Sequence, residues 1–141
     1  MKRRVLLWTL LCLAAACAIL VLAVRFAYLA AQHIAAGDQV CYIALRVAEE
    51  VKRRQNDTRR PEDLVAGIVN ELDGPPQLII RDADHRLIDP WGNPISVGIK
   101  RRGSVVYVEA RGAGPDGVMG TDDDKVYEGV IDTHAGSDER N

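Results

Sequence analysis

No charged residue occurs between Val5 and Val24, and the stretch is built mainly of Leu, Ala, Val and Ile. About 20 such residues at 1.5 Å each make a helix about 30 Å long, the thickness of a bilayer's hydrocarbon core. Trp8 near one end and Tyr28 near the other suit the two interfacial belts, and Lys2, Arg3 and Arg4 ahead of the run predict a cytoplasmic N-terminus. The chain beyond Tyr28 is then expected across the membrane. A cleaved signal peptide ending near Ala14-Ala15-Ala16 competes with this reading, as does a lipoprotein signal at Cys17. The apolar run continues to Val24, which puts such a cleavage within the membrane and favours an uncleaved anchor over both.

A chain of 141 residues with one such segment has room for one modest domain. Formal net charge is −2, but the basic residues flanking the apolar run account for part of the positive charge and every acidic residue lies beyond it. The outer part therefore carries roughly −6, which gives it no electrostatic reason to seek nucleic acid. Cys12 and Cys17 fall in the apolar run, so Cys41 is the one thiol outside it. A single thiol forms no disulfide framework, and an inert Cys41 is favoured over an interchain bridge.

After Gly37-Asp38, read as a helix entry with Asp38 as N-cap, Val40, Ile43, Ala44, Val47 and Val51 recur at helical spacing. With no Pro before Pro61, that helix could also continue the membrane helix. Pro61-Glu62-Asp63 predicts a second helix with Leu64, Val65, Ile68 and Leu72 on its apolar face, stopped by Asp73-Gly74-Pro75-Pro76. Strands follow in expectation: Gln77 to Arg81, with Arg86 to Ile88 pairing back across a turn at Asp82 to Asp84. Ile95, Val97 and Ile99 alternate at strand period, Lys100 to Gly103 form a hairpin tip, and Ser104 to Ala110 make the strongest strand. The fold class expected is α+β: a transmembrane helix, one or two further helices, and a small antiparallel sheet. The division is an anchor over 1–31, a domain over 32–133 and a disordered tail over 134–141.

The segment Gly112-Ala113-Gly114-Pro115-Asp116-Gly117-Val118-Met119-Gly120-Thr121-Asp122-Asp123-Asp124 joins what look like strands. Calcium takes six to eight oxygens from carboxylates and backbone carbonyls, which a glycine-rich, aspartate-rich loop can supply. The EF-hand pattern is absent. A solvated acidic turn is the rival, although carboxylates this close repel one another without a cation. His33, His85 and His134 have no zinc-type spacing, Ser96, Ser104 and Ser137 have no nucleophile-elbow context, and Trp91 between prolines reads as a packing anchor. The basic clusters at 52–54, 59–60 and 100–102 read as solvated faces. Nothing in these patterns argues for an enzyme or a small-molecule substrate.

Asp89-Pro90-Trp91-Gly92-Asn93-Pro94 followed by the Gly-Asp loop resembles the major pseudopilins of bacterial type II secretion. The matching pieces are residues 40–72, 89–94 and 112–124. The resemblance implies a calcium-binding loop with Asp116, Asp122 and Asp124 as side-chain ligands and Asp123 as a weaker candidate. It also implies a structural or assembly role in a secretion or pilus-like machine, a protein partner there, and a bacterial inner-membrane location with the domain periplasmic or extracellular. Homo-oligomerisation stays open, and so does an envelope binding module of the same fold unconnected with secretion. The chain departs from the family where that family carries a peptidase leader ending in Gly and a glutamate in the membrane helix. No Gly precedes Gly37 and no acid precedes Asp38. The expectation is therefore a pseudopilin-like domain on a retained anchor.

Overall fold

A computed structural model describes residues 2–54, 60–102 and 105–131. Two helices precede three strands, giving an α+β chain that resolves into two compact units, Met1–His33 and Ile34–Asn141. The expected tail at 134–141, the hairpin tip at 103–104 and Arg59 lie outside the described residues, as does the Trp8 side chain.

Helix α1 spans Lys2–Arg53. Its first unit holds a window of mean hydropathy 2.3, none of it buried, and Leu13, Ile19, Leu20, Leu22 and Phe26 are all more than half exposed. Apolar side chains on every face with no protein against them suit a lipid surround, so α1 is long and apolar enough to cross a membrane. The helix entry expected at Gly37-Asp38 is absent. α1 runs through both residues, because one glycine costs only about 1 kcal/mol against Ala and cannot break a helix this long. Asp38 is exposed in mid-helix and caps nothing.

In the second unit α1 buries the anticipated stripe, with Val40, Ile43, Ala44 and Val47 at 0–1% exposure. α2 spans Pro61–Glu71, has Pro in its first turn followed by Glu62 and Asp63, and buries Leu64, Val65 and Ile68. Each such side chain withdrawn from water contributes roughly 1.5–3 kcal/mol before chain entropy is charged against it. Arg54 donates from Nη2 to Glu71 at 2.8 Å, linking the end of α1 to the end of α2.

The sheet is antiparallel in the order β1-β2-β3, with β1 at Ile95–Arg102, β2 at Val105–Gly112 and β3 at Lys125–Ile131. Register sets Ile99 beside Val108 and Val97 beside Ala110, then Val108 beside Gly129. That alternation sends Ile95, Val108, Ala110 and Ile131 into one core with α1 and α2. The opposite face carries ion pairs: Lys100 with Glu109, and Arg102 with Glu128 at 2.7 Å. Gly129 is where β3 meets α1, since a Cβ there would stand 2.9 Å from the Ala44 carbonyl oxygen.

The strand expected from Gln77 to Arg81 does not form. Leu78 and Ile79 donate back to the Pro75 carbonyl at 2.8 and 2.9 Å, so the segment opens as a turn. Pairing back is limited to single bridges, Arg81 with Leu87 and Ile88 with Pro94. Arg81 has another occupation. Its Nη2 donates to the carbonyls of Val69 and Leu72 at 2.7 and 3.1 Å, satisfying acceptors at the end of α2.

Candidate functional site

Loop 112–124 connects β2 to β3, two paired neighbours, so its ends are held together by the sheet. Gly114, Gly117 and Gly120 all take positive φ, at 67°, 70° and 97°. Gly114 is the tightest of the three. A Cβ there would stand 2.6 Å from Asp123 Oδ2 and 2.7 Å from the Asp123 carbonyl oxygen, so no other residue fits.

The aspartates are not equivalent. Asp116 Oδ1 accepts from the Val118 amide at 2.8 Å, an Asx-type turn, and the Asp116 amide donates to Asp123 Oδ2 at 3.3 Å. Asp124 Oδ2 accepts from the Gly120 amide at 2.7 Å and from Arg111 Nη1 at 3.2 Å, and its side chain is 3% exposed. Asp122 is exposed. The structure therefore turns Asp123 and Asp124 inward, joins Asp116 to them through its backbone, and leaves Asp122 facing outward. Among the described residues, no three His, Cys, Asp or Glu side chains converge as a metal-ligating group.

Thr121 organises the inward side chains, and the sequence pattern did not single it out. Its Oγ1 lies 3.0 Å from the Val118 carbonyl, 2.6 Å from Asp123 Oδ1 and 3.4 Å from Asp124 Oδ1. A hydroxyl has one proton to donate, so one proton faces three acceptor oxygens. The Thr121 hydroxyl is also the main reason the Asp123 carboxyl is held below the ordinary aspartate range, with the Asp116 amide adding to it. This hard-oxygen set of two carboxylates, a hydroxyl and a carbonyl has a cation beside it, Arg111 on Asp124, and its donor chemistry is of the kind calcium takes. It does not suit zinc, which prefers sulfur and imidazole.

The turn at 89–94 stands against this loop. Asp89 is 2% exposed, and its Oδ1 accepts from the amides of Trp91 and Asn93 at 3.0 and 2.8 Å. Asp89 Oδ2 has no donor in hydrogen-bonding geometry among the described residues. Burial pushes the Asp89 carboxyl above the ordinary range, while the amides of Asn93, Trp91, Gly92 and Gly114 pull the other way. Gln39, buried on α1, donates from Nε2 to the neighbouring Ile88 carbonyl at 2.8 Å. The expected turn formers therefore do more than reverse the chain.

Elsewhere, Cys41 is half-buried beside the Tyr127 hydroxyl on β3, and His85 is exposed at a left-handed turn position. Comparison with protein-family models, with curated proteins and with solved structures gives no match to this chain.

Proposed function

We propose that this chain is a membrane-anchored, pseudopilin-like structural or assembly protein whose C-terminal loop is stabilised by calcium, serving a bacterial type II secretion or pilus-like system. The observation that carries the calcium reading is the oxygen cluster around Thr121, held by a loop in which Gly114 leaves no room for a larger residue against Asp123. Asp123, Asp124, the Thr121 hydroxyl and the Val118 carbonyl would hold the ion, while Asp116 meets them through its backbone amide. Bound calcium supplies charge balance there and no reaction chemistry. The assembly role is supported by the order of parts: an apolar helix running into a small α+β domain, then the DPWGNP turn, then the Gly-Asp loop. The domain is read as lying on the far side of the inner membrane from the cytoplasm, where millimolar calcium suits a weak site of about 10⁻⁴ M.

The calcium reading is tested by melting the full chain in detergent with calcium and with a chelator. Binding to the folded form adds about 2.7 kcal/mol when calcium is a hundredfold above its dissociation constant, and the melting temperature climbs with the logarithm of free calcium. Magnesium substitutes poorly because it keeps its waters and demands a tight octahedron. The Asp123→Ala, Asp124→Ala double variant should melt alike in calcium and chelator. A wild-type melting temperature indifferent to millimolar calcium leaves the aspartates as a solvated turn. For the assembly role, deletion of the gene in its host should lower the amount of exported protein in the medium, and unchanged export would refute that part.

A further inference from the structure

Turn 89–94 and loop 112–124 meet at Asp89, which faces Gly112 and the Gly114 amide, and at the Asn93 side chain, which makes the close polar contact. Asn93 Nδ2 donates to the Gly114 carbonyl at 2.7 Å, and Asn93 Oδ1 lies 3.0 Å from where a Cβ on Gly117 would stand. The amide group therefore touches both glycines that bound the loop's first turn. The Gly117 amide also donates to the Gly114 carbonyl, at 3.3 Å, so turn and side chain grip the same oxygen. Asn93 is itself immobilised. Its amide donates to Asp89 Oδ1 at 2.8 Å and its carbonyl accepts from the Asp89 amide at 2.8 Å. Asp89 sits in the core next to Ile88, whose carbonyl is held by Gln39 of α1. On the other side, Gly114 lies directly behind Asp123, whose second oxygen meets Thr121.

We propose that Asn93 is a positioning residue for the cation site: its side-chain amide fixes the Gly114 to Gly117 turn against the core, and so sets Asp123 and the Asp116 amide before the ion arrives. The proposal rests on the calcium reading above. A loop with three glycines at positive φ has many conformations when free, and holding one of them in advance removes an ordering cost that binding must otherwise meet. Asn93 touches no proposed ligand oxygen, so its effect reaches the metal through the Gly114 to Gly117 turn. Outer contacts that orient metal ligands commonly weigh about 10–100-fold in affinity, and the lower end suits a single neutral hydrogen bond. Linkage requires the reverse effect as well: calcium in the loop must tighten the turn at 89–94.

The test titrates calcium into the full chain in detergent for wild type, Asn93→Ala and Asn93→Leu, the last with the same branching but without the amide. Melting in chelator is recorded for each, and amide hydrogen exchange at Trp91 and Asn93 is followed in the wild type with and without calcium. We expect both variants to bind calcium about tenfold more weakly while melting in chelator near the wild type, and the wild-type turn amides to exchange more slowly once calcium is bound. Variants that bind as tightly as the wild type overturn the positioning role and leave the calcium reading standing. A wild type that binds no calcium overturns both. If both variants unfold in chelator, the wild-type exchange decides, and rates at Trp91 and Asn93 indifferent to calcium overturn the proposal.

Discussion

Asp89 shows how a single side chain can be structural and costly together. Its Oδ1 serves two turn amides, while the rest of the carboxyl is buried and held above its ordinary range by that burial. A folded-state value above the unfolded one means that the folded chain keeps the proton longer. This group therefore stabilises the fold most below the ordinary aspartate value, about 4, and its contribution falls as pH rises toward the raised folded value, then stays flat. Asp82 and Asp123 are shifted downward and act oppositely, so the Asp89 effect must be isolated by difference. Denaturant titrations of wild type and Asp89→Asn across pH 4 to 7 provide that difference. The wild type should lose stability relative to the variant as pH rises, and a constant difference would show that Asp89 is not desolvated. Asp89→Ala removes the acceptor for two amides and should cost about 1–3 kcal/mol throughout.

At the scale of elements, two glycines predict opposite outcomes. Gly37 lies inside α1 with nothing within 4 Å of where a Cβ would be, so Gly37→Ala should stabilise the chain by about 0.5–1 kcal/mol. Gly129 faces the Ala44 carbonyl at 2.9 Å and the Ala48 methyl at 3.1 Å, so Gly129→Ala forces β3 away from α1 and should cost about 1–3 kcal/mol. Thermal melts of the two variants, read beside the wild type, should move in opposite directions. The same elements mark how far the sequence was legible. The helical stripe from Val40 to Val51, the proline-led α2 and the alternation of Ile95, Val97 and Ile99 are periodic signals, and the structure buries those faces. Gln77 to Arg81 misled because its strand-like composition says nothing of Pro75, which seizes two amides, or of Arg81, which is recruited to the end of α2. β3 is expected from the sequence only as a strand of unstated bounds after the loop, because Val126, Tyr127 and Val130 are exposed and Gly129 interrupts the pattern. In the loop, composition pointed to carboxylates but could not rank them. Which aspartate turns inward depends on three positive-φ glycines and a threonine hydroxyl, features set by backbone path rather than by residue type.

The whole molecule joins a segment that water disfavours to a domain that water suits, and the two must be reconciled by topology. Apolar side chains from Leu11 to Leu29 stand half or more exposed, while the second unit keeps its own core closed. A bilayer resolves the first without touching the second, since each buried methylene adds about 0.8 kcal/mol to insertion. Orientation then follows from charge. Lys2, Arg3 and Arg4 precede the apolar run, whereas Arg25 alone closes it, so the positive end should remain cytoplasmic and the domain should cross. A reporter enzyme active only outside the cytoplasm, fused after Asn141, should therefore be active, and a cytoplasm-dependent reporter at the same place should be silent. Replacing Lys2, Arg3 and Arg4 by Gln while adding three lysines after Tyr28 should reduce or invert that pattern, because the bias that sets orientation has been moved. Cytoplasmic reporter activity in the unaltered chain would place the acidic loop in a compartment where free calcium is too scarce for a site of about 10⁻⁴ M. The topology experiment therefore bears on the metal as directly as on the anchor.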